Sequence, residues 1–290
     1  MAKFKAQLWQ LIVHIAFTLL ELKTLAELTR NGEDDWWERA VYMFYSQAEN
    51  GFLLELLYSL QLAVWFVTGF FQVFVFERVK DHLVMLAHHV ATIILLGLSY
   101  QHGYMRLGLM VLYIHDATDI VIDTLKLTNG LQLEGPRGGF LVEISFVSTL
   151  ASWFYYRLYL LPKCVIYQAA YHGAICAMVF SQSGGMPADV NRVCSVCWDR
   201  SPEAIEAAGQ VVAAAVARGD EPPFEKIWVV AVVATALLSV LFVMHIYWYL
   251  LFVRIAVKLL TGEKPHDVGE VEYEGSDGLA SRSSPSRKRD

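Results

Sequence analysis

The chain has 290 residues, of which 56% are hydrophobic and 18% are charged. A soluble domain usually carries about 25% charged residues, and here the deficit falls in long apolar runs, which indicates an integral membrane protein. The net charge of −6 comes without a basic stripe and the chain has only four cysteines, so neither nucleic-acid binding nor a disulfide framework is expected. No small-residue cleavage site follows the first apolar run, so we expect that run to stay in the membrane as an anchor.

Six apolar segments are long enough for a helix that crosses a bilayer, which takes about 20 residues. In chain order they cover residues 8–28, 52–76, 83–100, 105–127, 140–161 and 227–251. The first is the least apolar, because His14, Glu21 and Lys23 interrupt it. A further run, 164–180, follows Pro162 and is either a seventh span or the continuation of the preceding helix, kinked at that proline.

Basic residues in the connecting segments favour six spans over seven. With six, both termini and the segments that are predominantly basic face the cytosol, as the positive-inside rule requires. The basic residues of these segments are Lys3, Lys5, Arg78, Lys80, Lys126, Arg137, Arg254, Lys258 and Lys264. We therefore predict an all-α polytopic membrane domain over residues 1–261, whose helices enclose a central cavity. Its long loop, about 181–226, would be lumenal. Residues 262–290 are rich in Ser, Gly and charged residues and are expected to form a disordered cytosolic tail.

The third and fourth spans carry ionisable side chains at membrane depth, where an aspartate costs about 2.5 to 3.5 kcal/mol. They are His88, His89, His115, Asp116, Asp119 and Asp123. The three aspartates follow an i, i+3, i+7 pattern and share one helix face. Since the two spans are antiparallel neighbours, imidazoles and carboxylates at similar depth can face each other. We predict that these six side chains form one working site.

Three other interpretations of this cluster are open. Hydrogen bonds between these side chains could simply hold the helices together. Histidine and aspartate are also metal ligands, but their spacing is not distinctive, so no metal ion is expected. A proton or ion pathway is the third, although transporters usually spread such groups over more helices.

The ordered motif around these residues resembles the Lag motif of ceramide synthases, within the wider TRAM-Lag-CLN8 group. The matching positions are Lys80, Asp81, His88, His89, Thr92, Ser99, Tyr100, Arg106, Gly108, His115, Asp116, Asp119 and Lys126. The likeness extends over about residues 3 to 260 and includes Arg157, Pro162 and the closing helix with His245, Trp248 and Arg254. The family's glutamate before the motif lysine is here Asp123, and its asparagine between the motif's Tyr and Arg is here Gly103.

The resemblance implies an N-acyltransferase of the endoplasmic reticulum membrane. It would transfer a fatty acyl group from acyl-CoA, as co-substrate, to the amine of a sphingoid base, with no bound cofactor and with a homo- or heterodimer conceivable. In such a mechanism His88 would form an acyl-imidazole, Asp119 would orient it, and His89 or Asp116 would manage the amine proton. The histidines could exchange roles, or His88 could act only as a base in direct transfer.

Weaker candidates lie around this centre. Arg106 could contact substrate or snorkel at a span end, and His245 is a secondary candidate in the closing helix. The CoA phosphates would be attracted by the cytosolic basic residues, namely Arg78, Lys80, Lys126 and Arg254. Cys194 and Cys197 resemble half a zinc site, but a local disulfide or inert thiols are favoured.

Three other kinds of protein also agree with the sequence. The first is a non-catalytic member of the same superfamily that handles lipids or assists protein translocation. The others are an acyltransferase for another amine and a transporter.

Overall fold

The described part of the protein, given by a computed structural model, covers residues 2–29, 51–74, 82–101, 104–167, 169–170 and 224–261. Its helices are α1 (Ala2–Thr29), α2 (Phe52–Phe74), α3 (His82–Gln101), α4 (Met105–Gly130), α5 (Leu141–Ser152) and α6 (Phe224–Leu260). A 3₁₀ turn, Pro136–Gly138, precedes α5, and a π-helical segment, Trp153–Ile166, continues it. No strand occurs within these ranges, so the prediction of an all-α fold is confirmed.

Four of these helices are long and apolar enough to cross a membrane. The segments that meet these two criteria are Phe4–Glu27 of α1, Phe52–Phe71 of α2, His82–Gln101 of α3 and Val232–Leu260 of α6. These four agree with predicted spans, and the protein is a multi-pass membrane protein. Helix α4 also has sufficient length, at 26 residues, but its charged side chains lower its apolarity. The total of six spans stays a prediction.

The outer surface of the helices is apolar, as a lipid-facing surface must be. Leu19, Leu83, Val147 and Leu250 are between 61% and 77% exposed, and they come from four different helices. Large apolar side chains rarely form extended exposed surfaces on soluble proteins. In a bilayer the same side chains contact hydrocarbon, and the backbone polar groups are satisfied within each helix.

Helix α5 runs without a break into the π-helical segment, and Pro162 lies inside that segment. Proline lacks the backbone N–H that an α-helix needs in its interior, and wider turns are one way for a helix to accommodate such a position. Of the 164–180 run, residues 164–167 continue this helix, and residues 169 and 170 are also helical. The described residues do not include the rest of that run, the loop 181–223 with Cys194 and Cys197, or the tail from 262.

Helices α2, α3 and α4 meet at Gly108, which is part of the motif. A Cβ atom at this position would lie 1.7 Å from the Tyr58 hydroxyl oxygen and 2.8 Å from Ser99 Oγ. Those two hydroxyl groups hydrogen-bond each other at 2.7 Å and so join α2 to α3. A glycine is therefore required sterically where α4 crosses this pair.

Two of the apolar clusters among the described residues flank the polar interior. The larger one includes Leu57, Leu109, Ile114 and Leu161, which are fully buried and come from α2, α4 and the π-helical segment. The smaller one joins that segment to α6 through Trp153, Trp248 and Phe252. The candidate site lies between these clusters.

Candidate active site

Helices α3, α4 and α6 bring four buried histidines together in a group that we call the histidine chamber. Its members are His88 and His89 from α3, His115 from α4 and His245 from α6. The ring centroid of His88 lies 6.2 Å from those of His89 and His245 and 6.1 Å from that of His115. The rings of His115 and His245 are closer, at 4.9 Å. Imidazoles of the third and fourth spans thus lie together, where imidazoles facing carboxylates were predicted, and α6 contributes a fourth imidazole.

Tryptophan rings form the walls of the histidine chamber. Trp65 and Trp248 present their rings edge-on to His88, with centroids 5.5 and 5.6 Å away, and Trp65 is 5.1 Å from His89. Trp153 lies 5.7 Å from the His245 ring, and its Nε1–H donates to the His245 carbonyl oxygen at 3.0 Å. These large side chains exclude water and restrict the imidazole rotamers.

Hydrogen bonds define the tautomers of two chamber histidines when both rings are neutral. His115 Nδ1 lies 2.6 Å from the carbonyl oxygen of Val111, so Nδ1 carries the proton and donates. Its Nε2 is then an acceptor, and His245 Nε2–H, 3.2 Å away, must be the donor. The remaining nitrogen of His245, Nδ1, therefore presents a lone pair, and this buried atom has no hydrogen-bond partner among the described residues.

His88 is held by ring packing without a hydrogen bond to any described residue. It is 6% exposed, and its Nδ1 is a buried polar atom with no such partner. Leaving a buried donor or acceptor unsatisfied costs about 1 to 3 kcal/mol, so native structures rarely keep one without a reason. An imidazole in this state is available to a reactant that enters the chamber.

Arg157 links the histidine chamber to the aspartates of α4. Its buried guanidinium forms an ion pair with Asp119 and donates to the His115 carbonyl oxygen at 3.2 Å and to Thr118 Oγ1 at 2.8 Å. It also stacks 4.1 Å from the Trp153 ring centroid. The direct contact that we predicted between Asp119 and His88 is not found, because Arg157 takes the Asp119 carboxylate.

The other aspartates of α4 face α1 and α2 and do not enter the histidine chamber. Gln61 Nε2 donates to Asp116 Oδ2 at 2.6 Å and to Glu21 Oε1 at 3.1 Å, and all three side chains are buried. Asp123 Oδ2 accepts a hydrogen bond from His14 Nδ1 at 2.8 Å. We call the group of His14, Glu21, Asp116, Asp119 and Asp123 the carboxylate cluster.

The remaining residues that we predicted for the site lie away from both groups or outside the described residues. Arg106 is buried in the first turn of α4, about 13 Å along the helix from His115. Arg254 is exposed on α6, about 13 Å beyond His245. Lys126 is largely exposed and lies 3.6 Å from Asp123 Oδ1. Arg78 and Lys80 lie outside the described residues.

Sequence reasoning did not assign three ionisable residues of this interior. His14 and Glu21 were treated only as interruptions of the first span, and Arg157 as a residue near a span end that could snorkel or contact substrate. The cost of an ionisable group at membrane depth, which identified the α4 aspartates, applies equally to all three. That criterion would have found them.

An open apolar groove of about 350 Å³ runs along α3 and α6 beside the histidine chamber. Its lining includes Leu83, Ala87, Val90, Leu237, Val240 and Met244. Ala87 and Met244 each precede a chamber histidine in the sequence, so one end of the groove is close to the chamber. An apolar chain from the bilayer can occupy such a surface.

Comparisons with known proteins agree with this architecture. The TLC domain shared by TRAM, LAG1 and CLN8 proteins matches residues 3–254. Ceramide synthase LOH2 of Arabidopsis thaliana is 30% identical over 168 residues, 57% of this chain and 52% of that protein. Human ceramide synthase 1 is 28% identical over 217 residues, 72% of this chain and 47% of that protein. Sphingosine N-acyltransferase lag1 of Schizosaccharomyces pombe is 31% identical over 131 residues, which cover 44% and 32% of the two chains.

The chain spans about half the length of the curated relatives that it matches first. The domain match is broader, because it covers most of the chain and includes the helices that carry the histidine chamber and the carboxylate cluster. The protein therefore belongs to the TLC-domain family.

Proposed function

We propose that this protein is an acyl-CoA-dependent N-acyltransferase that joins a fatty acyl group to the amine of a sphingoid base and so forms ceramide or dihydroceramide. The observation that carries the proposal is the buried imidazole of His88 among three further histidines, with an Nδ1 that has no hydrogen-bond partner among the described residues. Relatives named ceramide synthase and sphingosine N-acyltransferase support the choice of substrates.

The first half-reaction forms an acyl-enzyme. A ring nitrogen of His88 attacks the thioester carbonyl, the new C–N bond forms, and the C–S bond breaks. The proton lost from the other ring nitrogen ends on the departing sulfur, so that CoA leaves as the thiol and the enzyme holds a neutral acyl-imidazole. A neutral imidazole is required, because only the neutral ring has a nitrogen lone pair that can attack. In the second half-reaction the amine nitrogen attacks the same carbonyl carbon, the amide forms, and the imidazole leaves.

The amine must lose protons during the second half-reaction, and His245 is the favoured acceptor. Its Nδ1 carries the lone pair that the hydrogen bond with His115 leaves free, and its ring lies 6.2 Å from that of His88. His89 is the alternative acceptor, since its buried Nδ1 also makes no hydrogen bond within the described part of the chain. Asp116 is less suitable than we expected from the sequence, because it contacts Gln61 and Glu21.

The substrates would reach His88 by different routes. The apolar groove beside α3 and α6 supports lateral entry of a long-chain amine from the bilayer. Acyl-CoA would enter from the cytosol, where basic residues attract its phosphates. We place the protein in the endoplasmic reticulum membrane with both termini cytosolic, as in the topology predicted from loop charge.

The direct test is amide formation by the purified full chain in detergent, with sphinganine and a panel of acyl-CoA chain lengths. We expect product from the wild type, and a decrease of about a thousandfold or more in His88→Ala, because the nucleophile is lost. His82→Ala, which removes a histidine at the start of α3 outside the chamber, is the matched control and should retain activity. Size-exclusion profiles establish that each variant is folded.

Folded wild-type protein that forms no amide with any acyl-CoA would reject the proposal. The non-catalytic role in the same family, or an acyltransferase for another amine, would then take its place.

A further inference from the structure

We propose that His14, Asp116 and Asp119 bind a divalent transition-metal ion such as Zn²⁺ between α1 and α4. One potential ligand atom from each residue lies within 4.8 Å of the other two. Imidazole nitrogen and carboxylate oxygen together suit a borderline ion such as Zn²⁺ better than Ca²⁺ or Mg²⁺, which prefer oxygen alone. The site is separate from the histidine chamber.

His14 has the surroundings of a metal ligand. Its Nδ1 is 2.8 Å from Asp123 Oδ2 and donates to that carboxylate, which leaves Nε2 with the lone pair. Metal-binding histidines almost always donate their other ring N–H to a carboxylate or carbonyl, because this fixes the tautomer and raises the basicity of the ligand nitrogen. Asp123 would thus orient His14 and need not contact the ion.

Glu21 provides an independent observation. This side chain is fully buried, and its Oε2 has no hydrogen-bond partner among the described residues. Its carboxyl group is within hydrogen-bonding reach of Asp116, and Gln61 donates to both. Two carboxylates in contact need a shared proton or a cation between them. A metal ion on Asp116 supplies that cation and gives Glu21 a partner.

The local charge also favours a dication. Glu21, Asp116, Asp119 and Asp123 would carry four negative charges, against the positive charges of Arg157 on Asp119 and Lys126 on Asp123. Two negative charges remain in excess when His14 is neutral, as a metal ligand must be. Uncompensated charge is expensive inside a membrane protein, and one divalent ion removes the excess.

The geometry requires only a local contraction. Two ligand atoms bound at about 2.1 Å to one ion are at most about 4.2 Å apart. Rotation of the side chains of His14, Asp116 and Asp119 can supply the difference from 4.8 Å. Arg157 pairs with Oδ1 of Asp119, and Oδ2 makes no hydrogen bond with a described residue, so it can turn to the ion. Glu21 or a water would complete four-fold coordination.

The test is the metal content of the full chain, purified in detergent through a tag that contains no histidine. Mass spectrometry for first-row metals should find about one ion per chain. His14→Gln keeps an amide near Asp123 but removes the imidazole, and Asp116→Asn removes a ligand charge. We expect each to lower the metal content about tenfold or more. His82→Gln is the matched histidine control and should keep the ion.

A second measurement keeps the test decisive if those variants do not fold. Wild-type protein stripped with a chelator is titrated calorimetrically with Zn²⁺, and we expect one site and a higher melting temperature. No stoichiometric uptake by the stripped protein, or equal metal content in folded His14→Gln and wild type, would overturn the metal site in favour of a shared proton between Glu21 and Asp116. Both measurements are independent of acyl transfer, so the metal site and the proposed function can fail separately.

Discussion

Residues 115 and 116 are adjacent in the chain yet belong to different polar groups. Successive positions of an α-helix are rotated by about 100°, so His115 contacts His245 of α6 while Asp116 contacts Gln61 of α2. Asp119 lies about one turn further along and contacts Arg157. Helix α4 therefore forms the partition between the histidine chamber and the carboxylate cluster.

Arg157 is the residue whose loss should damage both groups at once. In Arg157→Met the half-buried Asp119 carboxylate loses its cation, and the His115 carbonyl and Thr118 hydroxyl lose a donor. Removing one partner of a fully buried ion pair costs about 3 to 5 kcal/mol. Because Asp119 is 28% exposed, we expect a loss near or below the lower end of that range and a measurable fall of the melting temperature in detergent. Arg254→Met changes an exposed arginine of α6 and serves as the control. Equal melting temperatures for the two variants would show that the Arg157 contacts do not stabilise the fold.

At the scale of helices, the contact of α4 with α2 depends on the absence of a side chain at Gly108. In Gly108→Ala the new Cβ would overlap the Tyr58 hydroxyl, and Tyr58 cannot move without breaking its hydrogen bond with Ser99. Overpacking of this kind typically costs about 1 to 3 kcal/mol.

Gly97→Ala on α3 is the matched control, since nothing lies within 4 Å of a Cβ built there. Alanine is the better helix former by about 1 kcal/mol, so Gly97→Ala should be neutral or stabilising. Thermal unfolding of both variants provides the comparison. A Gly108→Ala protein as stable as Gly97→Ala would contradict the close packing of α2 on α4.

Hydropathy predicted where the described helices lie, because each span must satisfy its own backbone polar groups and present apolar side chains to lipid. It could not predict which side chains meet. His115 and His245 are 130 residues apart, and His14 and Asp123 are 109 residues apart. Such pairs depend on helix packing and rotation. For that reason the sequence showed no recognisable metal-ligand spacing. For the same reason we expected Asp119 to orient His88, whereas the structure pairs Asp119 with Arg157.

For the molecule as a whole, the proposed topology makes a prediction about glycosylation in cells. An Asn-X-Ser acceptor introduced into the loop 181–223 should be modified, because the loop is expected in the lumen, where the modification occurs. The same acceptor introduced after residue 262 should stay unmodified in the cytosol. Sensitivity of the apparent mass to an endoglycosidase provides the readout. Modification of the tail acceptor alone would require an odd number of spans or an inverted orientation.

The central claim is that His88 accepts the acyl group, and the most direct measurement supplies acyl-CoA without any sphingoid base. A rapid quench followed by thiol quantification and peptide mass spectrometry should show a burst of about one CoA thiol per chain. The mass of one acyl group should appear on the peptide that contains His88, and His88→Ala should show neither. Thiol release and acylation that persist in folded His88→Ala, or wild-type protein that releases no thiol until the amine is added, would contradict the account.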